Sequence, residues 1–263
     1  ALRWRWRSRR IGLRTGEWLG GRYLGNPHRC LGQLRSRPDA AWLPWHSRLI
    51  WYTLRVWIVV HSSQRSTEAM PSFRFLPDKL LDAVDYMLRQ VGPCTRMKLV
   101  KLLYLADRYH LVRHGTPVLG DRYYRLPWGP VPSRSLDVLE AAADVAAHDP
   151  EAPSDDLSER LLTKIEITDP ESKSPNYRSR QLPGQPEYLS PSETEALDAV
   201  AKEFGNWPAI ELSRLTHQHQ AFLRTNPQDE IDYRLFFLDE PGVKPEALEY
   251  FELAEHDHDL LSR

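Results

Sequence analysis

The chain has 263 residues and a formal net charge of −1, but this near-neutral total combines two very different compositions. Residues 1–69 contain thirteen arginines, no lysine and three acidic residues, for a charge of +10, while residues 70–263 carry 22 basic and 33 acidic side chains, for a charge of −11. The acidic balance of the larger part argues against a nucleic-acid partner, because phosphate would be repelled. Two cysteines exclude a disulfide framework and a cysteine-based zinc site, and a cytoplasmic location is expected.

Residues 1–69 are predicted to be an upstream extension that is not native. They hold seven of the nine tryptophans and precede Met70, the first methionine. An arginine-rich, lysine-free segment is what GC-rich DNA encodes when it is read through ahead of a start codon. The alternatives are a basic arm that binds nucleic acid and a membrane-active segment at residues 49–60. That run has twelve residues, fewer than the roughly 20 apolar residues that span a bilayer. Residues 70–263 are expected to form one domain.

The helical pattern starts after a lead-in at residues 71–77. A first helix is predicted at 78–91, and a second begins at the N-cap Thr95 and runs towards His114, where Gly115 stops it. The second helix has one apolar stripe at three- and four-residue steps, formed by Leu99, Leu102, Leu103, Ala106 and His110. Four cations are predicted to lie mostly off this stripe, namely Lys98, Lys101, Arg108 and Arg113.

Asp107 directly follows the apolar run of the second helix. A carboxylate in this position is usually solvated, which is the first interpretation. The two alternatives are an ion pair with Arg122 and a cap on the strand that follows Gly120-Asp121.

A short strand is predicted at residues 122–126 and a rigid turn at 128–132. Two prolines in the turn remove backbone donors, and Gly129 permits backbone angles that other residues resist. Aromatic side chains with a polar edge are common anchors of protein interfaces. The alternative is that these aromatics close the core over the second helix. The aromatic residues of this segment are Tyr123, Tyr124 and Trp128.

The remaining pattern predicts a mainly helical domain. A third helix at 132–147 precedes an acidic loop at 148–158, and a strand at 161–168 is expected to pair with 177–182. Further helices are predicted after an N-cap at Ser190 or Ser192, at 209–217 and at 246–260, and the apolar tail at 233–238 is expected to dock on another part of the domain. The fold class is therefore α+β and mainly α-helical, with a small antiparallel sheet.

Four short motifs follow one another along the chain. They are Lys98-Leu-Val-Lys-Leu-Leu-Tyr-Leu-Ala-Asp107, Gly120-Asp-Arg-Tyr-Tyr124, Trp128-Gly-Pro-Val-Pro132 and Leu212-Ser-Arg-Leu-Thr-His217, the last with Ala221-Phe222 behind it. In this order and spacing they resemble the Panacea domain, the SocA-like antitoxin family of bacteria. The resemblance runs from about residue 78 to residue 222.

This resemblance implies an antitoxin without catalytic activity that binds and neutralises a cognate protein toxin encoded beside it in a bacterial or phage operon. A protease or a chaperone would be a further partner if the toxin is delivered for degradation. Such families pair one domain with many unrelated toxins, so the sequence does not name the toxin. No cofactor, metal or membrane contact is expected. The predicted toxin-binding residues are Lys101, Asp107, Tyr123, Tyr124, Trp128, Gly129, Pro130 and Val131, and the acidic stretch 239–259 is the next candidate.

Two other functions rest on weaker patterns. A helix-turn-helix regulator would present Arg96, Lys98 and Lys101 to phosphate. A metal-dependent enzyme would use His110 and His114, which stand four residues apart on one helix. The third metal ligand would then come from Asp107, His217 or His219.

Overall fold

The computed structural model describes residues 71–147, 156–181, 184–240 and 243–261, with side chains up to residue 254. The predictions for residues 1–70 and 148–155 lie outside these ranges. The helices are α1 (Pro77–Val91), α2 (Arg96–His114), α3 (Ser133–Ala146), α4 (Asp156–Lys164), α5 (Pro191–Phe204), α6 (Ala209–Thr216), α7 (Gln220–Leu223) and α8 (Pro245–Leu261), with a 3₁₀ helix at Tyr233–Asp239. The strands are β1 (Cys94–Thr95), β2 (Tyr123–Leu126), β3 (Gly129–Pro132), β4 (Ile165–Thr168) and β5 (Asn176–Ser179). The predicted class, mainly helical with a small antiparallel sheet, is confirmed.

Helix α2 is the central element, and the other elements enclose it. It packs against α1, α5, α6 and α8 and against the β2–β3 hairpin. Its predicted start is confirmed, since the Thr95 hydroxyl accepts a hydrogen bond from the Lys98 N–H at 3.4 Å. The prediction that its cations lie off the buried stripe is wrong for Lys101 and Arg108, which are 1% and 6% exposed. Packing on several faces buries side chains that a single apolar stripe would leave in solvent.

Gly115 ends α2 as predicted, in the left-handed conformation with φ 79°. Helix α8 passes directly over it. A Cβ atom at this position would lie 2.3 Å from the Ala247 carbonyl oxygen and 2.8 Å from the Phe251 nitrogen. Only glycine therefore allows α8 to approach the end of α2 so closely.

The strands form two small antiparallel sheets. One sheet has the order β1-β5-β4, with Cys94 opposite Tyr177 and Ile165 opposite Ser179. The predicted pairing of residues 161–168 with residues 177–182 is thereby confirmed for β4 and β5. The other is the β2–β3 hairpin, in which Leu126 lies opposite Gly129. The rigid turn predicted at 128–132 is therefore too long, because residues 129–132 pair as a strand. The turn itself lies at residues 127–128.

The strand predicted at 161–168 is only half correct. Residues 161–164 belong to α4, which packs on α1 and α3 and buries Leu161 completely. Alternating burial begins at Ile165, where β4 starts. An apolar run of this length suits both a helix and a strand, and tertiary packing decides between them.

The acidic loop predicted at 148–158 is wrong at residues 156–158, which begin α4. The other predicted helices and the apolar tail are confirmed. Ser190 and Glu193 form a reciprocal capping box at the start of α5. The apolar tail docks as the 3₁₀ helix, with Phe236 and Phe237 buried, and the acidic segment forms α8, whose Phe251 is fully buried. No helix among the described residues is long and apolar enough to cross a membrane.

Candidate partner-binding site at the β2–β3 hairpin

Asp107 of α2 holds the segment that leads into the hairpin. The carboxylate is fully buried and accepts hydrogen bonds from the Leu119 N–H at 2.8 Å and from the Tyr123 hydroxyl at 2.9 Å. Burial raises the pKa of Asp107 to about 7. The interpretation of Asp107 as a cap is thus confirmed, while the solvated carboxylate and the pair with Arg122 are wrong. The Arg122 guanidinium lies 3.9 Å from Glu230 instead.

Asp121 ties the start of the hairpin to its end. Its carboxylate is fully buried and accepts from the N–H groups of Arg134 at 3.0 Å and Ser135 at 2.7 Å, and from the Ser135 hydroxyl at 2.6 Å. These amides open α3, which directly follows β3. Asp121 therefore caps α3 across the base of the hairpin. The Tyr233 hydroxyl donates to the Asp121 backbone oxygen at 2.5 Å and adds the 3₁₀ helix to this base.

Lys101 reaches the hairpin from inside the core. Its ammonium group donates to the Pro130 carbonyl oxygen at 2.6 Å and lies beside Gly129, where a Cβ atom would be 3.0 Å from Nζ. Burial lowers the pKa of Lys101 to about 7. Gly129 has φ 103°, a conformation that residues with a side chain rarely adopt. The lysine and the glycine are thus fitted to each other.

Helix α6 secures the other side of the turn. The Ser213 hydroxyl donates to the Trp128 carbonyl oxygen at 2.9 Å, and the His217 Nε2 lies 3.1 Å from the Pro127 carbonyl oxygen. Together with Lys101, these side chains engage three carbonyl oxygens of residues 127–130, which are called the Trp128 tip below. Three backbone acceptors at the turn are thus satisfied within the protein, which favours an ordered tip.

The outer edge of β2 is also covered. The Arg125 N–H donates to the Asp229 oxygen at 3.0 Å, and the Ile231 N–H donates to the Tyr123 oxygen at 2.7 Å. The Arg125 guanidinium donates to the Thr225 oxygen at 2.5 Å. The hairpin is therefore held on both edges and at its turn.

One large side chain projects from this support. The Trp128 indole is 63% exposed, whereas its backbone is fixed by α6. Ile210, three residues before Ser213 on α6, is 45% exposed. An exposed indole on a fixed backbone is typical of an interface anchor.

The supporting residues come from α2, the hairpin and α6, which carry the motifs in the sequence. Residues 99–221 match the family described as Antitoxin SocA-like, Panacea domain. The resemblance seen in the sequence is thereby confirmed over this range. No curated protein and no solved structure matches the chain.

The matched Panacea region contains the whole Trp128 tip and its support. Of the predicted toxin-binding residues in it, Trp128 is exposed and two are half-buried, Tyr124 and Val131. The other five are buried and point to a role in holding the tip: Lys101, Asp107, Tyr123, Gly129 and Pro130. Only the exposed and half-buried residues, Trp128, Tyr124 and Val131, are accessible for direct contact with a partner. The part of all eight residues in toxin binding stays a prediction.

The two alternative functions fit this geometry poorly. For a helix-turn-helix, Arg96 pairs with Glu140 at 3.2 Å and Lys98 donates to the Gly205 oxygen at 2.5 Å, while Lys101 is buried. Lys98 and Lys101 are thus engaged inside the protein, and Arg96 is paired with a carboxylate at the surface, so the three cations do not form a shared phosphate-binding face. For a metal site, the rings of His110 and His114 stack at 4.5 Å, but the described residues include no group of three ligands arranged to hold an ion.

The sequence interpretation missed two supports of the tip, Ser213 and Asp121. Ser213 lies in the closing motif Leu212–His217, but a motif does not show which backbone atom its hydroxyl meets 85 positions away. Asp121 stands 13 and 14 residues before the amides of Arg134 and Ser135 that it caps, beyond the three-residue spacing of a local capping box. The only sequence signal that connected Ser213 and Asp121 with the hairpin was the order in which their motifs follow one another along the chain.

Proposed function

We propose that this protein is an antitoxin that binds and neutralises a cognate protein toxin of a bacterial toxin–antitoxin system, and that the Trp128 tip contacts the toxin. The match of residues 99–221 to the antitoxin SocA-like family supports the first part. The exposed indole on the fixed turn carries the second part. Interface hot spots are enriched in tryptophan, and a tip that is already ordered loses little conformational entropy on binding.

The proposed action is binding without catalysis. Asp107 and Lys101, which the family motifs contribute, are buried and hydrogen-bonded inside the protein. A general acid or base must instead reach a bound substrate. The same buried groups have a clear structural task, since they position the hairpin.

The experiment is a rescue assay in bacteria that express the product of the neighbouring open reading frame as the candidate toxin. Wild-type antitoxin is expected to restore growth. Trp128→Ala is expected to lose rescue at matched expression, because truncating a hot-spot indole typically costs about 2 kcal/mol or more, roughly a thirtyfold loss of affinity. Tyr188→Ala is the matched control, since Tyr188 is an aromatic residue that is 49% exposed outside the tip.

The outcomes separate the two parts of the proposal. Failure of the wild type to rescue growth, despite soluble expression, would contradict the antitoxin assignment for this partner. Full rescue by a folded Trp128→Ala variant would contradict the tip as the contact surface. The next surface to test is α8, where Tyr250 and Leu253 are 62% and 61% exposed within the acidic stretch predicted as second candidate.

A further inference from the structure

A second surface feature lies away from the Trp128 tip, at the edge of the β1-β5-β4 sheet. It is an open groove of about 400 Å³, called the Arg180 groove here. It is lined by Leu88, Gly92, Pro93, Glu166, Arg178, Ser179, Arg180 and Gln181. The end of α1 forms one wall and β5 forms the other.

The groove exposes a free strand edge. The Arg180 N–H donates to the Lys164 oxygen at 2.9 Å, so the backbone groups of Arg180 face β4. Alternate residues of an antiparallel strand direct their N–H and C=O groups to opposite sides, which turns Tyr177 and Ser179 towards β1. Strand β1 has two residues and pairs with Asn176 and Tyr177. Among the described residues, no strand continues beside Ser179.

The chain around the groove explains why β1 stops there. Helix α1 ends at Val91 and Gly92 adopts φ 72° and ψ −170°, so the chain reaches the sheet only at Cys94 and leaves no strand residue opposite Ser179. Beyond Ser179, Gln181 adopts a positive φ of 52°, which turns the chain out of the extended conformation. The open edge is therefore short and bounded at both ends.

The charges in the groove favour an acidic occupant. Arg180 donates through Nε to the oxygens of Leu162 at 3.0 Å and Ile165 at 2.9 Å, which orients the guanidinium while no carboxylate among the described residues pairs with it. Arg178 pairs with Glu166 at 2.7 Å, and both side chains are exposed, by 53% and 38%. An exposed pair of this kind contributes little and exchanges readily with another carboxylate.

We propose that the Arg180 groove binds an extended acidic peptide segment of a partner protein, which adds a strand beside Ser179 and places carboxylates near Arg178 and Arg180. The free backbone edge distinguishes this occupant from a nucleic acid, since an added strand uses both the N–H and the C=O of Ser179. Acidic side chains at alternate positions of such a strand lie on one face, as the two arginines do.

The probe is a fluorescein-labelled heptapeptide that alternates glutamate and valine, titrated with the full chain and followed by fluorescence anisotropy. Saturable binding is expected, and a peptide that alternates lysine and valine should bind at least tenfold more weakly. The variant Arg178→Gln/Arg180→Gln should weaken binding of the glutamate peptide at least tenfold. Lys173→Gln removes an exposed cation outside the groove and should leave it unchanged. Amide hydrogen exchange at Ser179 should slow when the glutamate peptide is bound.

Equal binding of both peptides, or unchanged binding by the double variant, would overturn the proposal. Tighter binding of a fluorescein-labelled octathymidylate than of the glutamate peptide would assign the groove to nucleic acid and also overturn it. Melting curves show whether the variants are folded. Because Trp128 is not part of the groove, Trp128→Ala should bind the glutamate peptide like the wild type, which separates this test from that of the toxin contact.

Discussion

Replacing Gly129 by alanine should destabilise the protein in a way that the structure allows to be estimated. The φ of 103° is strained for alanine, at about 1–3 kcal/mol. The new Cβ would also lie 2.8 Å from the Thr216 Oγ1 and 3.0 Å from the Lys101 Nζ, and overpacking of a filled site costs about 1–3 kcal/mol. Thr216 cannot easily move, because it is fully buried and donates to the Ser213 oxygen at 3.0 Å. The expected total is about 2–6 kcal/mol.

Thermal melting measures this loss, with Gly92→Ala as the matched control. Gly92 has φ 72° and ψ −170°, a conformation that residues with a side chain rarely adopt, but nothing lies within 4 Å of a Cβ there, so the conformational cost of about 1–3 kcal/mol acts alone. At roughly 2–4 °C per kcal/mol for a domain of this size, Gly129→Ala should lower Tm by about 4–24 °C and Gly92→Ala by about 2–12 °C. Adding Thr216→Ala should recover part of the difference. If the two glycine variants melt alike, the close fit of Lys101 and Thr216 around Gly129 is wrong.

Two further predictions concern pH. The pKa of Asp107 is raised by burial to about 7. Between about pH 4 and 7 the folded state therefore keeps the Asp107 proton while the unfolded state has lost it, so the free energy of unfolding falls as the pH rises through this window. Asp107→Asn should remove this contribution to the pH dependence. Urea unfolding of both proteins at pH 4–8 measures it, and the same dependence of unfolding free energy on pH in variant and wild type would contradict the prediction. The pKa of Lys101 is lowered by burial to about 7, so the unfolded state binds the extra proton from about pH 7 to 10.5 and stability rises there. Lys101→Met should flatten this rise, and a slope equal to that of the wild type would refute the burial of the charge.

Local signals were enough to predict the central helix. The Thr95 hydroxyl accepts a hydrogen bond from the Lys98 N–H at the start of the helix, and Gly115 takes the left-handed conformation at its end. Both were indicated by the residue types alone. The capping box of Ser190 and Glu193 was similarly readable. Each of these signals acts within four residues, which is why sequence shows it.

What the polar residues of α2 do could not be predicted from periodicity. Asp107 and Lys101 lie beside the apolar stripe in sequence, and only the hairpin and the surrounding helices make those faces part of the core. Their partners Leu119, Tyr123 and Pro130 are 12 to 29 positions away. The strand predicted at 161–164 failed for a related reason, because α1 and α3 bury Leu161 on a helix.

The most direct test of the central claim is calorimetric titration of the purified product of the neighbouring open reading frame into wild type, Trp128→Ala and Tyr188→Ala. We expect stoichiometric binding by the wild type and by Tyr188→Ala, with an affinity at least tenfold lower for Trp128→Ala and an unchanged melting temperature. Equal affinity of all three proteins would contradict the Trp128 tip as the toxin contact.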